Sequence, residues 1–322
     1  MKHGDSRKLA GMQQRYVGNS GLRVSALSLG TMSWARETEE QDAATLLRSF
    51  VDAGGTLIDT AASYADGQAE AMLGGMLGDV VARSEVVIST KAGLTTTDGR
   101  RSVDTSRNGM LSGLDASLAR LGTDYVDLWF AHAWDSNVPL EETLSALDHA
   151  VRSGRARYAG VSNFNGWQTA KAAAIAGFPL VANQSEYSLL QRSAEIELIP
   201  AIEDAGLGLM AWGPIGRGVL SGKYRGHIPG DSRAASQRLA TYVEPYLEAP
   251  ASSVVEAVAM AAKGLGRTPL DVSLSWLLSQ QGVATAVVGP RTPVQLKEIL
   301  DSAFAPLPPE IAQALEDVSD PA

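Results

Sequence analysis

Short apolar runs rich in β-branched and aromatic residues recur along the chain, separated by longer segments in which apolar residues return every three or four positions. The first kind of pattern predicts buried strands and the second amphipathic helices. Strands are expected near Leu27 to Gly30, Leu57 to Thr60, Val86 to Thr90, Val126 to Ala131, Arg157 to Val161, Val181 to Gln184, Gly208 to Trp212 and Thr285 to Val288. Strand runs alternating with helical runs predict a parallel α/β fold, and eight of them suit a closed (β/α)8 TIM barrel. Ala43, Leu46, Leu47, Phe50 and Val51 line one helical face, and Leu111, Leu114, Leu118 and Leu121 another. Gly54-Gly55 and Gly122 are expected to close helices, and Pro139 to open one.

Ahead of the first strand, Arg15 to Val24 places Gly18-Asn19-Ser20-Gly21 between two strand-like pieces, the signal for a hairpin that plugs one barrel mouth. Residues 1–11 are polar and basic and read as a flexible extension, leaving residues 12–322 as a single barrel domain. The strand-helix unit repeats roughly every thirty residues up to Trp212, and roughly seventy then pass before Thr285. That interval holds a Gly- and Arg-rich loop from Gly213 to Gln237 and helices near Ser253 to Leu265 and Leu270 to Ser279. A long insertion at the strand-end face is a candidate binding loop.

Composition narrows the chemistry. The 322 residues carry 45% hydrophobic and 20% charged side chains, enough apolar surface for a full core. The net charge of −9, with no long basic run, argues against nucleic acid or an anionic membrane surface and for a diffusible small-molecule ligand. There are no cysteines, which excludes thiolate catalysis, disulfides and thiolate metal sites. No secretory or membrane-spanning apolar segment stands out, so the expected location is cytoplasmic. Oligomeric state cannot be read from the pattern.

Three of the predicted strands end in ionisable residues: Asp59, Lys91 and His132, with Tyr64 shortly after the first. Strand ends of one barrel face are where such enzymes gather reacting groups. Singly, an aspartate at a turn, a surface lysine, a packing tyrosine and a core histidine are all ordinary. Together they form a set able to polarise and protonate a carbonyl, with Asp59 pairing Lys91 and the lysine ammonium expected to lower the Tyr64 pKa from its usual ~10. His3, His149 and His227 have no paired spacing and no His-Glu-x-x-His segment exists, so no metal is expected. After the first strand stands Leu29-Gly30-Thr31-Met32-Ser33-Trp34 rather than G-x-G-x-x-G, so any nucleotide is held differently from the doubly wound fold. The loop Gly213-Pro214-Ile215-Gly216-Arg217-Gly218, with Lys223 beyond it, has the glycines and cations to wrap a pyrophosphate. Gly289-Pro290-Arg291-Thr292 leads into a helix start where barrel enzymes often seat phosphate.

At these residues the chain resembles the aldo-keto reductases, from about Tyr16 to Leu300. The resemblance is carried by Asp59-Thr60-Ala61-Ala62-Ser63-Tyr64, Ser89-Thr90-Lys91, the segment Leu118 to Leu128 ahead of His132, Gly154 to Phe164 with its Gly-Val-Ser-Asn-Phe end, and Asn183-Gln184-Ser185-Glu186-Tyr187. It implies NADP(H)-dependent oxidoreduction of a small carbonyl substrate with Asp59, Tyr64, Lys91 and His132 as catalytic tetrad. It further implies cofactor contacts from Gly30, Thr31, Met32 and Asp59, nicotinamide contacts from Ser162, Asn163 and Gln184, and stacking by Trp212. Gly213 to Gly218 and Lys223 would face the pyrophosphate, and Gly289, Arg291, Gln295 and Glu298 the adenosine end, with Arg291 toward a 2′-phosphate. The sequence departs from the family pattern at Ala69 and Gly213, often Ser, and at Ile299, often Asn. Tyr64, His132, Trp34 and Trp134 are the expected substrate contacts. Two other readings stay open: a nicotinamide-binding regulatory protein like the potassium-channel β subunits, which share this architecture, and a Schiff-base aldolase using Lys91.

Overall fold

The computed structural model describes residues 12–97, 100–302 and 304–320, so the expected extension at residues 1–11 lies outside the described residues. The chain opens with an antiparallel hairpin of β1 (Gln14–Tyr16) and β2 (Arg23–Ser25). Then follow β3 (Leu27–Gly30), α1 (Glu40–Asp52), β4 (Leu57–Asp59), α2 (Gln68–Met76) and β5 (Val87–Ala92). A second hairpin comes next, β6 (Leu94–Thr97) with β7 (Arg100–Val103), and after it α3 (Arg107–Leu121), β8 (Val126–Ala131) and α4 (Leu140–Arg152). The series continues with β9 (Ala156–Ser162), α5 (Gly166–Ile175), β10 (Leu180–Glu186), α6 (Leu198–Ala205) and β11 (Gly208–Trp212). The long interval holds α7 (Ala240–Val243), α8 (Ala251–Leu265) and α9 (Pro269–Ser279), and β12 (Val283–Val288), α10 (Pro293–Leu300) and α11 (Pro309–Val318) complete the chain.

Strands β3, β4, β5, β8, β9, β10, β11 and β12 pair in parallel and close into a ring in that order. This is the eight-stranded barrel expected from the alternating pattern. Helix ends follow local chemistry: Gly122 takes the left-handed conformation that ends α3, and the Thr268 and Thr292 hydroxyls accept backbone N–H groups at the starts of α9 and α10. Leu111 and Leu118, expected on the buried face of α3, are only partly buried, because the helix turns Met110, Leu114, Ser117 and Leu121 inward. The β6–β7 hairpin is an element that the sequence reading left undivided.

Because side chains alternate across a strand, every second residue of each barrel strand points into the lumen. Those inner positions change character along the axis. On the side of the first hairpin Leu57, Leu128, Phe130, Ala182 and Met210 pack together with Val17 and Leu22 of its turn and Val24 of β2. The hairpin therefore plugs this mouth, and the fit is close: a methyl group on Gly208 would lie 2.6 Å from the Gly18 nitrogen. Asp59, His132 and Gln184 follow two residues after Leu57, Phe130 and Ala182, and Ser89 and Lys91 of β5 and Ser162 of β9 are buried in the strand ends with them.

Candidate functional site

Lys91 has no exposed surface. Its ammonium Nζ donates to Asp59 Oδ2 at 2.8 Å, to the Thr60 carbonyl at 2.8 Å and to the Tyr64 hydroxyl at 3.4 Å. Three donors and three acceptors satisfy a buried cation that would otherwise be costly. Asp59 is held on its other oxygen as well: Oδ1 accepts from Ser89 Oγ at 2.7 Å and from Gln184 Nε2 at 2.8 Å. Gln184 stands on β10, four places round the eight-strand ring from β4, so this last bond spans the barrel diameter.

Tyr64 reaches the site through a tight turn in which Ala65 and Asp66 both adopt positive φ, 48° and 56°. Its ring meets the His132 imidazole edge-on, with centroids 6.1 Å apart. His132 Nδ1 lies 3.4 Å from Ser63 Oγ, and the His132 carbonyl accepts from Asn163 Nδ2 at 3.0 Å. The four residues expected to act as a set are thus brought together at one end of the barrel.

Burial governs the protonation of these groups. It pushes the Tyr64 hydroxyl above its ordinary value, with Lys91 opposing and Asp59 adding to the rise. This corrects the expectation that Lys91 would lower the Tyr64 pKa, because loss of water around the phenolate outweighs the attraction of an ammonium already shared with Asp59. For Lys91, burial acts to lower the pKa, but Asp59 and Tyr64 outweigh it and the amine is held above its ordinary value. His132 is held well below 6.5 by burial, then by the positive charges of Lys91 and Arg101, so its ring is neutral near pH 7.

A cleft of about 930 Å³ opens from this end of the barrel, reaching from Leu94 and Arg101 beside Tyr64 and His132 to Arg291, Gln295 and Glu298 at α10. Among the described residues seven cationic side chains and two carboxylates, Asp59 and Glu298, line it, in a chain of net charge −9. The cleft is therefore suited to anionic guests. Ser162, Asn163, Gln184 and Trp212 form its middle wall: Asn163, in the left-handed region at φ 58°, donates to Ser162 Oγ at 3.1 Å and accepts from Trp212 Nε1 at 3.1 Å. Gly30, Met32, Gly213, Pro214, Ile215, Gly218, Lys223 and Gly289 also line the cleft, as the sequence pattern anticipates.

Several expected contacts are placed elsewhere. Trp34 is wholly buried in the core and does not line the cleft; its bulk is used for packing beneath the loop after β3. Trp134 turns away from the cleft to pack edge-on against Phe164 and Trp167, with centroids 5.2 Å apart in each pair. Thr31 is buried, and its backbone N–H and hydroxyl both donate to the Asp59 carbonyl, 2.9 Å and 3.2 Å away. Arg217 lines the cleft, but its fork is engaged by both oxygens of Glu186 at 2.8 and 2.6 Å and by the Tyr242 carbonyl at 2.6 Å, so it fastens the loop rather than offering a free cation. In the same loop the Gly216 and Gly218 N–H groups turn back onto Gly213 and Ile215 carbonyls.

Arg233 was not singled out from the sequence. It lies within the predicted loop, and it donates to the Arg217 carbonyl at 3.4 Å and the Gly289 carbonyl at 3.1 Å, while Arg291 donates to the Asp231 carbonyl at 2.6 Å. Neither, nor Lys223, has a carboxylate partner among the described residues. Burial lowers the Lys223 pKa, and Arg233 and Arg291 add to that against Tyr224, the mark of like charges gathered at one place. Arg101, Leu94 and Tyr242 also line the cleft without a sequence signal of their own. Among the described residues no group of three or more His, Cys, Asp or Glu could hold a metal ion, and no helix is long and apolar enough to cross a membrane.

Comparison with known proteins agrees with this architecture. The family model for the Aldo/keto reductase family matches residues 26–320. The chain belongs to the aldo/keto reductase family. Relatives of this aldo/keto reductase include an "Uncharacterized oxidoreductase YrpG" of Bacillus subtilis, 33% identical, the match covering 95% of this chain and 96% of the relative. A second is the L-glyceraldehyde 3-phosphate reductase of Escherichia coli K12, 36% identical over 89% of this chain and 86% of that one. A third is a probable voltage-gated potassium channel subunit beta of rice, 34% identical over 95% and 96%.

Proposed function

We propose that this chain is an NADPH-dependent carbonyl reductase that converts an aldehyde or ketone to an alcohol, with Tyr64 as proton donor. The observation that carries the reading is the approach of Lys91 Nζ to the Tyr64 hydroxyl, 3.4 Å, while Asp59 holds the same nitrogen at 2.8 Å. A phenol kept protonated near neutrality by burial is suited to act as an acid, and the adjacent ammonium stabilises the phenolate left behind. Asp59 keeps Lys91 charged and aimed. The neutral His132 ring offers a hydrogen bond to the carbonyl oxygen and fixes its direction.

The residues present fit a phosphate-bearing dinucleotide: Lys223, Arg233 and Arg291 gather three cationic side chains without carboxylate partners among the described residues in the lining of the cleft. Arg291, next to Gln295 and Glu298, is the candidate for a 2′-phosphate, and Trp212, Ser162, Asn163 and Gln184 for the nicotinamide end. NADPH, when bound, supplies the hydride that the carbonyl carbon accepts, and it leaves as NADP+. The C=O electron pair moves to oxygen, which takes the Tyr64 proton. The name of the Escherichia coli relative, a reductase of an aldehyde, supports a carbonyl substrate.

The rice relative supports a second reading, a regulatory protein that binds the nucleotide with little turnover. Schiff-base chemistry at Lys91 is disfavoured, because a nucleophilic amine must be unprotonated and this one is wrapped by three acceptors with its pKa raised. Titration with NADPH and NADH, followed by a panel of aldehydes and ketones, separates the readings. Carbonyl reduction predicts NADPH oxidation with several of them, whereas tight nucleotide binding with negligible turnover over the whole panel would favour the regulatory one.

A further inference from the structure

Resting on the carbonyl-reduction reading, we propose that the substrate of this cleft carries an anionic group, a phosphate or carboxylate, close to its carbonyl, and that Arg101 binds it. The β6–β7 hairpin follows β5 directly, so it rises from the strand that carries Lys91. Its register pairs Leu94 with Val103 and Thr96 with Arg101. Directly paired residues share a face, as do positions two apart on one strand. Leu94 and Arg101 therefore lie on one face of the hairpin, and both line the cleft beside Tyr64 and His132.

Among the described residues Arg101 has no carboxylate partner, and it sits close enough to the catalytic end to act on His132. Elsewhere in the cleft Arg36 pairs with Asp66 at 3.1 Å, Arg217 with Glu186 and Arg238 with Glu37. Lys223, Arg233 and Arg291 gather about one another. Arg101 is in no ion pair among the described residues, and of the cations that line the cleft it is the one whose charge acts on His132. Of the two carboxylates that line the cleft among the described residues, Asp59 is neutralised by Lys91, and Glu298 stands on α10. The charge of Arg101 is felt at the site, since it contributes to holding His132 unprotonated. A guanidinium fork is matched to two oxygens of a carboxylate or phosphate, and Leu94 beside it supplies apolar contact for a short spacer between that group and the carbonyl.

Matched pairs of aldehydes test this: 4-carboxybenzaldehyde against its methyl ester, and glycolaldehyde phosphate against glycolaldehyde, with the wild type, Arg101→Gln and Arg101→Lys. The wild type should prefer the anionic member of at least one pair, and which pair shows it tells carboxylate from phosphate. Arg101→Gln should reduce that preference in kcat/KM by about tenfold or more, through KM rather than kcat, with Arg101→Lys recovering part of it. Higher salt should erode the preference in the wild type and leave Arg101→Gln little changed. Equal use of both members, or an equal loss for both in Arg101→Gln, overturns the proposal while leaving carbonyl reduction intact. Calorimetric titration of 4-(hydroxymethyl)benzoate, with and without NADP+, gives a readout independent of turnover. Weaker binding of this carboxylate, or of ethylene glycol monophosphate titrated in the same way, to Arg101→Gln would uphold the anion site even if no aldehyde were reduced, and equal or no binding of both ligands to the two proteins would refute it.

Discussion

The two halves of the barrel lumen are built on the same strands and differ only in which residues follow one another. At the closed mouth Leu57, Leu128, Phe130 and Met210 fill the space with methyl, thioether and ring contacts under the hairpin. Toward the strand ends, Asp59, Lys91, His132 and Gln184 fill it with charge and hydrogen bonds. The difference teaches where stability and chemistry are separated in this fold. An apolar floor tolerates loss of reactivity above it, whereas the polar layer is stable only as a complete network, since each buried member depends on its partners.

Substitutions can break that contrast from either side. The largest change is expected at Tyr64: Tyr64→Phe keeps the ring but removes the proton, and NADPH-linked reduction should fall by about 10²- to 10⁴-fold with little change in unfolding. Lys91→Met strands a buried carboxylate, and should lower stability in urea unfolding by about 3–5 kcal/mol besides abolishing turnover. Adding Asp59→Asn to Lys91→Met should restore much of the stability and none of the activity. A double variant no more stable than the single would show that the ion pair is not what the polar layer depends on. On the apolar side, Met210→Ala should cost about 2–5 kcal/mol of stability while kcat at low temperature stays within a few-fold of the wild type. A large kcat loss there would erase the separation between floor and site.

The smallest effect concerns pH. His132 is held below its ordinary 6.5 in the fold, so below that value the unfolded chain binds the extra proton and stability declines as pH falls. Lys91 and Tyr64 are held above their ordinary values of 10.5 and 10.0, so the stability they contribute is present at neutral pH and lost as pH rises through the folded values. Urea unfolding measured across pH should show a plateau between these limits, and His132→Gln should flatten the slope just below pH 6.5. An unaltered acid slope in that variant would assign it to carboxylates instead.

Much of this was legible because barrel physics writes itself locally. β-branched runs ending in Asp59, Lys91 and His132 declared both strand and face, since strand ends of a parallel barrel share one side. Burial was not legible in the same way. Trp34 and Trp134 carry no mark that sends one into the core and the other against α5, and Arg217 gives no local sign of Glu186, thirty-one residues earlier in the chain. The direction of the Tyr64 shift depends on how much water the folded site excludes, which no run of residues states. Arg233 and Arg101 were missed because a cation in a loop acquires meaning only from what the fold leaves unpaired around it.

The bond from Gln184 to Asp59 carries one more consequence. It joins opposite walls of the cylinder, so the side-chain amide of Gln184 is tied to the same carboxylate that holds the Lys91 proton. A nitrogen-labelled amide at that position is therefore a built-in reporter: its resonance should move when the lysine on the far wall loses its charge, long before the backbone does.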